Sequence, residues 1–147
     1  MKRVLLILSV FALMAVFGVA VMPVAAQECE DAIGCVEIGP DDPITIAYML
    51  TISGGTASLG EDSLGAIEVA VDDRDGMLLG RDIEIVGEDS LCSAEGGQAA
   101  AQRIAANTQV LGIVGTNCSS AAKAPLPIIS EGGRLMISPT NTSPRLP

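Results

Sequence analysis

VLGIVGTNCSSAAKAPLPIISEGGRLMISPTNTSP, residues 110 to 144, holds two short apolar runs that each end in a hydroxyl-rich loop. The first, Val110–Val114, breaks at Gly115 into Thr116, Asn117, Cys118, Ser119 and Ser120, ahead of an alanine-rich segment with helical character. The second, Leu135–Ile137, ends in Ser138, Pro139, Thr140, Asn141 and Thr142. Short apolar runs bounded in this way read as strands buried on both faces of a sheet. In an open α/β sheet, ligands bind outside the carboxyl ends of the strands, where successive loops face each other across a switch point. The two loops are therefore the candidate site.

Working back toward the amino terminus, the same alternation recurs. Ile44–Leu50 (ITIAYML) reads as a buried strand, followed by a loop through Gly54, Gly55 and Gly60. From Glu61 to about Asp73, the spacing of Leu64, Ile67 and Val71, with Ala66 and Ala70, predicts a helix with acids in its first turn. Gly76 and Gly80 separate it from a strand at Ile83–Val86. A second helix is expected from Ser93, whose hydroxyl can cap it, to Ala106, with Ala101, Ile104 and Ala105 on its inner face. A third runs from about Ser119 to Ser130, interrupted by Pro125 and Pro127, each of which removes a backbone donor. The order βαβαβαβ predicts a parallel α/β sheet with flanking helices and right-handed crossovers.

The first 26 residues have a different character. Lys2 and Arg3 precede an apolar run from Val4 to Met22, and Val24-Ala25-Ala26 supplies small residues, the pattern of a secretory signal peptide cleaved to leave Gln27 first. The apolar run is close to the roughly 20 residues that span a bilayer, so an uncleaved anchor is the alternative. Residues 27–43 are acidic and broken by Gly39-Pro40 and Pro43, and read as an irregular lead-in.

Composition narrows the function. The chain has 18 acidic and 8 basic residues, a net charge of −10, which becomes −12 once Lys2 and Arg3 leave with the leader. Such a surface repels phosphate backbones, so no nucleic-acid partner is expected. Phe11 and Phe17 lie in the leader, and Tyr48 is the one aromatic that remains. With no His in the chain, Ser-His-Asp triads, Cys-His dyads and ordinary His-based zinc sites are excluded. The four Cys of an exported chain point to disulfides. Three pairings are open; Cys29–Cys35 with Cys92–Cys118 fits the predicted elements best, joining neighbours in the lead-in and two post-strand loops. In the chain-entropy model the longer bridge contributes on the order of 3 kcal/mol.

Four short motifs, taken in order behind the leader, resemble the amino-terminal part of the periplasmic branched-chain amino-acid binding proteins, the solute receptors of ABC importers. They are Ser53-Gly54 followed by Leu59-Gly60 and a helix; an acidic strand end before Cys92; Cys118-Ser119-Ser120; and Glu131-Gly132-Gly133 leading to Met136-Ile137-Ser138-Pro139. The resemblance runs from Ile44 to Pro147. It implies a type I periplasmic-binding-protein fold, of which residues 44–147 would be an incomplete first lobe of two, and it supports a Cys92–Cys118 bridge. It further implies an amino-acid ligand whose α-carboxylate is held by the hydroxyl and amide of Ser119, with Ser120 beside it. The main-chain carbonyl of Thr140 and the side chain of Thr142 would complete the grip. Leu59 falls where the leucine-type receptors carry an aromatic over the ligand, which implies a different side-chain preference; Leu59, Ser58 and the Gly54-Gly55 turn read either as the pocket rim or as a plain connection.

The physical logic does not depend on the resemblance. A helix amino terminus offers unpaired N–H groups and partial positive charge to a carboxylate, and nearby carbonyls can accept from an ammonium group. Competing readings fit less well. The Gly-rich loop after the first strand lacks both G-x-G-x-x-G spacing and Gly-Lys-Ser/Thr. Asp72, Asp73 and Asp75 lack the further ligands of a calcium loop. No cofactor or metal is implied, and an enzyme is not expected. The resemblance implies an exported solute-binding component that hands an amino acid to a membrane ABC permease; a membrane-anchored sensor ectodomain of the same fold is the alternative.

Overall fold

A computed structural model describes residues 30–146. The predicted leader and Cys29 lie outside the described residues. Cys35 is disulfide-bonded.

Five strands form one sheet, β1 (Ile44–Leu50), β2 (Met77–Leu78), β3 (Arg81–Asp89), β4 (Val110–Gly115) and β5 (Leu135–Ile137), in the spatial order β2-β3-β1-β4-β5. The four longer strands are parallel, and β2 pairs antiparallel with β3. The helices are α1 (Ser58–Asp72), α2 (Ala94–Ala106), α3 (Ser119–Ala122) and α4 (Leu126–Glu131). Among the described residues, no helix is long and apolar enough to cross a membrane.

The predicted strands are all present, with differences at their ends. β3 is longer than the apolar run Ile83–Val86 because its outer residues pair with the full length of β1. The two-residue β2 was not expected. Leu79 and Gly80, both at positive φ (53° and 78°), turn the chain back between β2 and β3, a geometry Gly favours and Leu gives no sign of in sequence. In β4, Thr45 pairs with Val110 and Ile46 with Gly112, so Leu111 is an extra, exposed residue in that strand.

Side-chain alternation divides the sheet into two faces. Ala47, Met49, Val86, Ile113 and Met136 point to one face, where Ala100, Ala101 and Ile104 of α2 and Ile128 and Ile129 of α4 close the core. Ile46, Tyr48, Ile85 and Val114 point to the other. There α1 lies across Tyr48 and Ile85 with Leu64 and Val71. The cover is lighter than the sequence suggested: Ala66 and Ala70 face solvent, and Gly60 is the one fully buried residue of α1. Gly87 is required here, because any Cβ at that position would strike the Tyr48 ring.

Ser93 caps α2 as expected, accepting from the Gly96 N–H at 2.9 Å. The segment expected as one helix after Ser119 is two. α3 ends at Ala122, and α4 begins behind Pro125, because Pro125 and Pro127 lack the N–H groups that would continue the ladder.

Candidate binding site at the switch point

The chain leaves β1 toward β3 on one side and later crosses to β4 on the other, so β1 and β4 are the strands between which the winding reverses. A crevice opens at that point in doubly wound sheets. Its walls here are the segment after β1 (Thr51–Ala57), the first turn of α1, and the loop Thr116–Cys118 after β4. The loop after β5 (Ser138–Thr142) lies against the last of these.

Asn117 joins these segments. It is 5 % exposed. Its Oδ1 accepts from the Thr51 N–H at 3.1 Å, and its Nδ2 donates to the Leu59 carbonyl at 3.2 Å and to Ser63 Oγ at 2.9 Å. Its own carbonyl accepts from Thr140 Oγ1 at 2.8 Å. The side-chain amide thus fixes the β1 loop and the start of α1 relative to β4, and the main-chain carbonyl fixes the β5 loop. Thr116 supports it: the buried hydroxyl donates to the Cys118 carbonyl at 2.9 Å, and the Thr116 carbonyl accepts from Ser138 Oγ at 2.8 Å. Both residues fall in the loop that the sequence marks as the candidate site, but nothing there assigned either of them a positioning role.

Ser119 is the first residue of α3, and its Oγ accepts from the N–H groups of Thr142 and Ser143, both at 3.2 Å. With both acceptor sites engaged, the O–H hydrogen is what this hydroxyl has left to donate. Ser119 and Thr142, expected to meet, are therefore adjacent. The Thr140 hydroxyl is spent on Asn117, and the Ser120 hydroxyl donates to the Cys92 carbonyl at 2.9 Å. Because α3 has only four residues, its macrodipole is small, and its first-turn donors are the local N–H groups of Ser119 and Ser120. Ser58 and Leu59, expected in a loop, belong to the first turn of α1. Leu59 is exposed, and Gly60 lets that turn rest against the Thr51 backbone, where a Cβ would collide.

The segment after β1 is also held by Asp89 at the end of β3. Its Oδ1 accepts from the N–H groups of Leu91 (2.8 Å) and Ile52 (3.3 Å). Burial acts to raise its pKa, but the Ser53 hydroxyl and these two N–H groups outweigh it and hold the carboxyl below the ordinary aspartate value. Beyond it, Leu91 and Cys92 both adopt left-handed backbone (φ 51° and 50°), at a cost of roughly 1–2 kcal/mol per residue. Cys92 is bridged to Cys118, with Cα atoms 5.2 Å apart, which fastens the β3 loop to the β4 loop.

Comparison with known proteins places this arrangement. Residues 43–147 match the family model described as periplasmic binding protein. The Leu/Ile/Val-binding protein of Escherichia coli K12 is 30% identical over 107 residues, covering 71% of this chain and 29% of that protein. The branched-chain amino-acid substrate-binding protein LivJ of Streptococcus pneumoniae, solved with isoleucine, superposes with a TM-score of 0.65 at 25% identity, over 70% of this chain and 30% of its own. A solute-binding protein of an ABC transporter from R. palustris, solved with benzoate, gives 0.62 at 26% identity, over 67% and 27%. The chain thus spans under a third of the length of these relatives. With the family model covering most of the chain and the doubly wound sheet matching solved members, this chain belongs to the periplasmic binding protein family.

Proposed function

We propose that this chain supplies the first-lobe half of a solute site, and that the solute is an amino acid of the branched-chain type or a similar small carboxylate. The observation that carries the reading is the convergence of Ser119 with Thr142 and Ser143 at the carboxyl edge of the sheet, beside the switch point. In this reading the Ser119 O–H and the N–H groups of Ser119 and Ser120 receive the solute carboxylate. The Thr140 carbonyl accepts from the ammonium group, Thr142 adds its hydroxyl, and Leu59 borders the side chain. Support also comes from the relatives, whose bound molecules, isoleucine and benzoate, share a carboxylate. The protein would be exported, would perform no catalysis, and would deliver its solute to an ABC permease in the membrane.

Calorimetric titration with leucine, isoleucine and valine, on protein carrying both lobes, tests the site. Ser119→Ala is expected to weaken binding by about 1.5–3 kcal/mol, the range for a hydrogen bond to a charged group. An unchanged affinity removes Ser119 from the pocket. Amino-terminal sequencing of the secreted protein separates transport receptor from anchored sensor: a start at Gln27 favours the receptor, an intact leader the sensor.

A further inference from the structure

A cleft of about 580 Å³ lies beside α3, with Ser119, Ser120 and Lys123 in its wall. Lys123 and Arg145 line it together with the hydroxyl residues Ser119 and Ser143, over apolar ground from Pro127 and Leu146. No acidic residue lines it, in a chain where acids outnumber bases 18 to 8.

The distribution of cations makes this unusual. Six basic residues lie between residues 30 and 146, and three are committed within the fold. Arg81 donates to the carbonyls of Gly39, Pro40 and Asp42. Arg103 pairs with Glu88, the one ion pair among the described residues. Arg134, 8 % exposed, donates to the carbonyls of Val110, Gly132 and Asn107. Of the remaining three, two converge on this cleft. An acidic protein that gathers two uncommitted cations around an acid-free cavity has built a local positive field in a surface that elsewhere repels anions.

We propose that this cleft binds a small organic carboxylate with an apolar body. The guanidinium of Arg145 matches a carboxylate through paired N–H donors, and Lys123 adds a point charge. Pro127 and Leu146 cover the hydrocarbon part. The ligand needs no ammonium group, and its recognition rests on Lys123 and Arg145, which take no part in the proposed amino-acid grip.

Hexanoate, its uncharged analogue hexanamide, and inorganic phosphate are the probes, titrated against the full chain in dilute solution at low salt. Hexanoate is expected to bind at least about tenfold more tightly than hexanamide, and to weaken as salt screens the two cations. Combining Lys123→Gln with Arg145→Gln should abolish that preference while leaving the denaturation midpoint unchanged, since both side chains are exposed. Lys123→Arg should retain it. Equal binding of acid and amide, no binding of hexanoate, or hexanoate binding untouched by the double variant each overturns the proposal. Phosphate binding as tightly as hexanoate overturns the assignment to organic acids.

Discussion

At the scale of single residues, Asn117 and Asp89 organise the crevice without any need to touch a solute. Asn117 uses both ends of its amide on three different partners, all at the mouth of the sheet. Replacing it with Ala leaves the buried Thr51 N–H without its partner and takes one of two side-chain donors from the Leu59 carbonyl, a loss of about 1–3 kcal/mol. Urea denaturation of Asn117→Ala measures this, and a midpoint equal to the parent's would show that these bonds contribute nothing net. Asp89 makes a pH-dependent contribution. Its folded pKa is depressed, so its stabilisation is fully present above the unfolded aspartate value and is lost as pH falls through the folded one. Asp89→Asn should therefore be less stable than the parent near neutrality, and the difference should shrink as the pH is lowered into the acid range. A gap that stays constant with pH would assign the effect to shape and not to charge.

At the scale of elements, close backbone approach and one covalent link set the loop geometry. Gly97 of α2 lies so near the Ala121 carbonyl that a Cβ would collide with α3. The same contact region carries the Cys92–Cys118 bridge and the Ser120 bond to the Cys92 carbonyl. The bridge holds two left-handed residues whose conformation is intrinsically unfavourable. Changing both Cys92 and Cys118 to Ala is expected to cost about 2–5 kcal/mol in denaturant unfolding. Thermal melts that overlay the parent's would contradict this. Element positions were largely readable beforehand, since Ser93, the apolar runs and the two prolines each act locally. The split into α3 and α4 was signalled by Pro125 and Pro127, whereas β2 depends on a left-handed Leu79 that no propensity suggests.

At the scale of the whole molecule, the sheet is covered unevenly. One face is closed by α2 and α4, but the other is covered by α1 only around β1 and β3. Leu135 and Ile137 of the edge strand β5 are 66 % and 73 % exposed. An apolar edge strand of this kind is a template for pairing with another chain. The isolated 147-residue chain is expected to self-associate with rising concentration, and Ile137→Lys should reduce that association. Sedimentation velocity tests both, and a monomer at all concentrations for the parent chain would mean that β5 is better protected than its exposure suggests.

Sequence by itself determined the alternation of strands and helices, the parallel sheet, and the two hydroxyl-rich loops, because apolar period, caps and breakers act within a few residues of one another. The family resemblance pointed to Ser119 and Thr142, and the tertiary structure made them neighbours across 23 positions of chain. Only that structure decided which polar residues hold the crevice and which are left to face it. The hydroxyls of Thr140 and Ser120 turned out to be spent on backbone carbonyls, and Asn117 became the hub. The reason is physical: a hydrogen-bonding group has a fixed number of donors and acceptors, and what consumes them is decided by partners brought close through folding, up to 66 residues away in the case of Thr51 and Asn117.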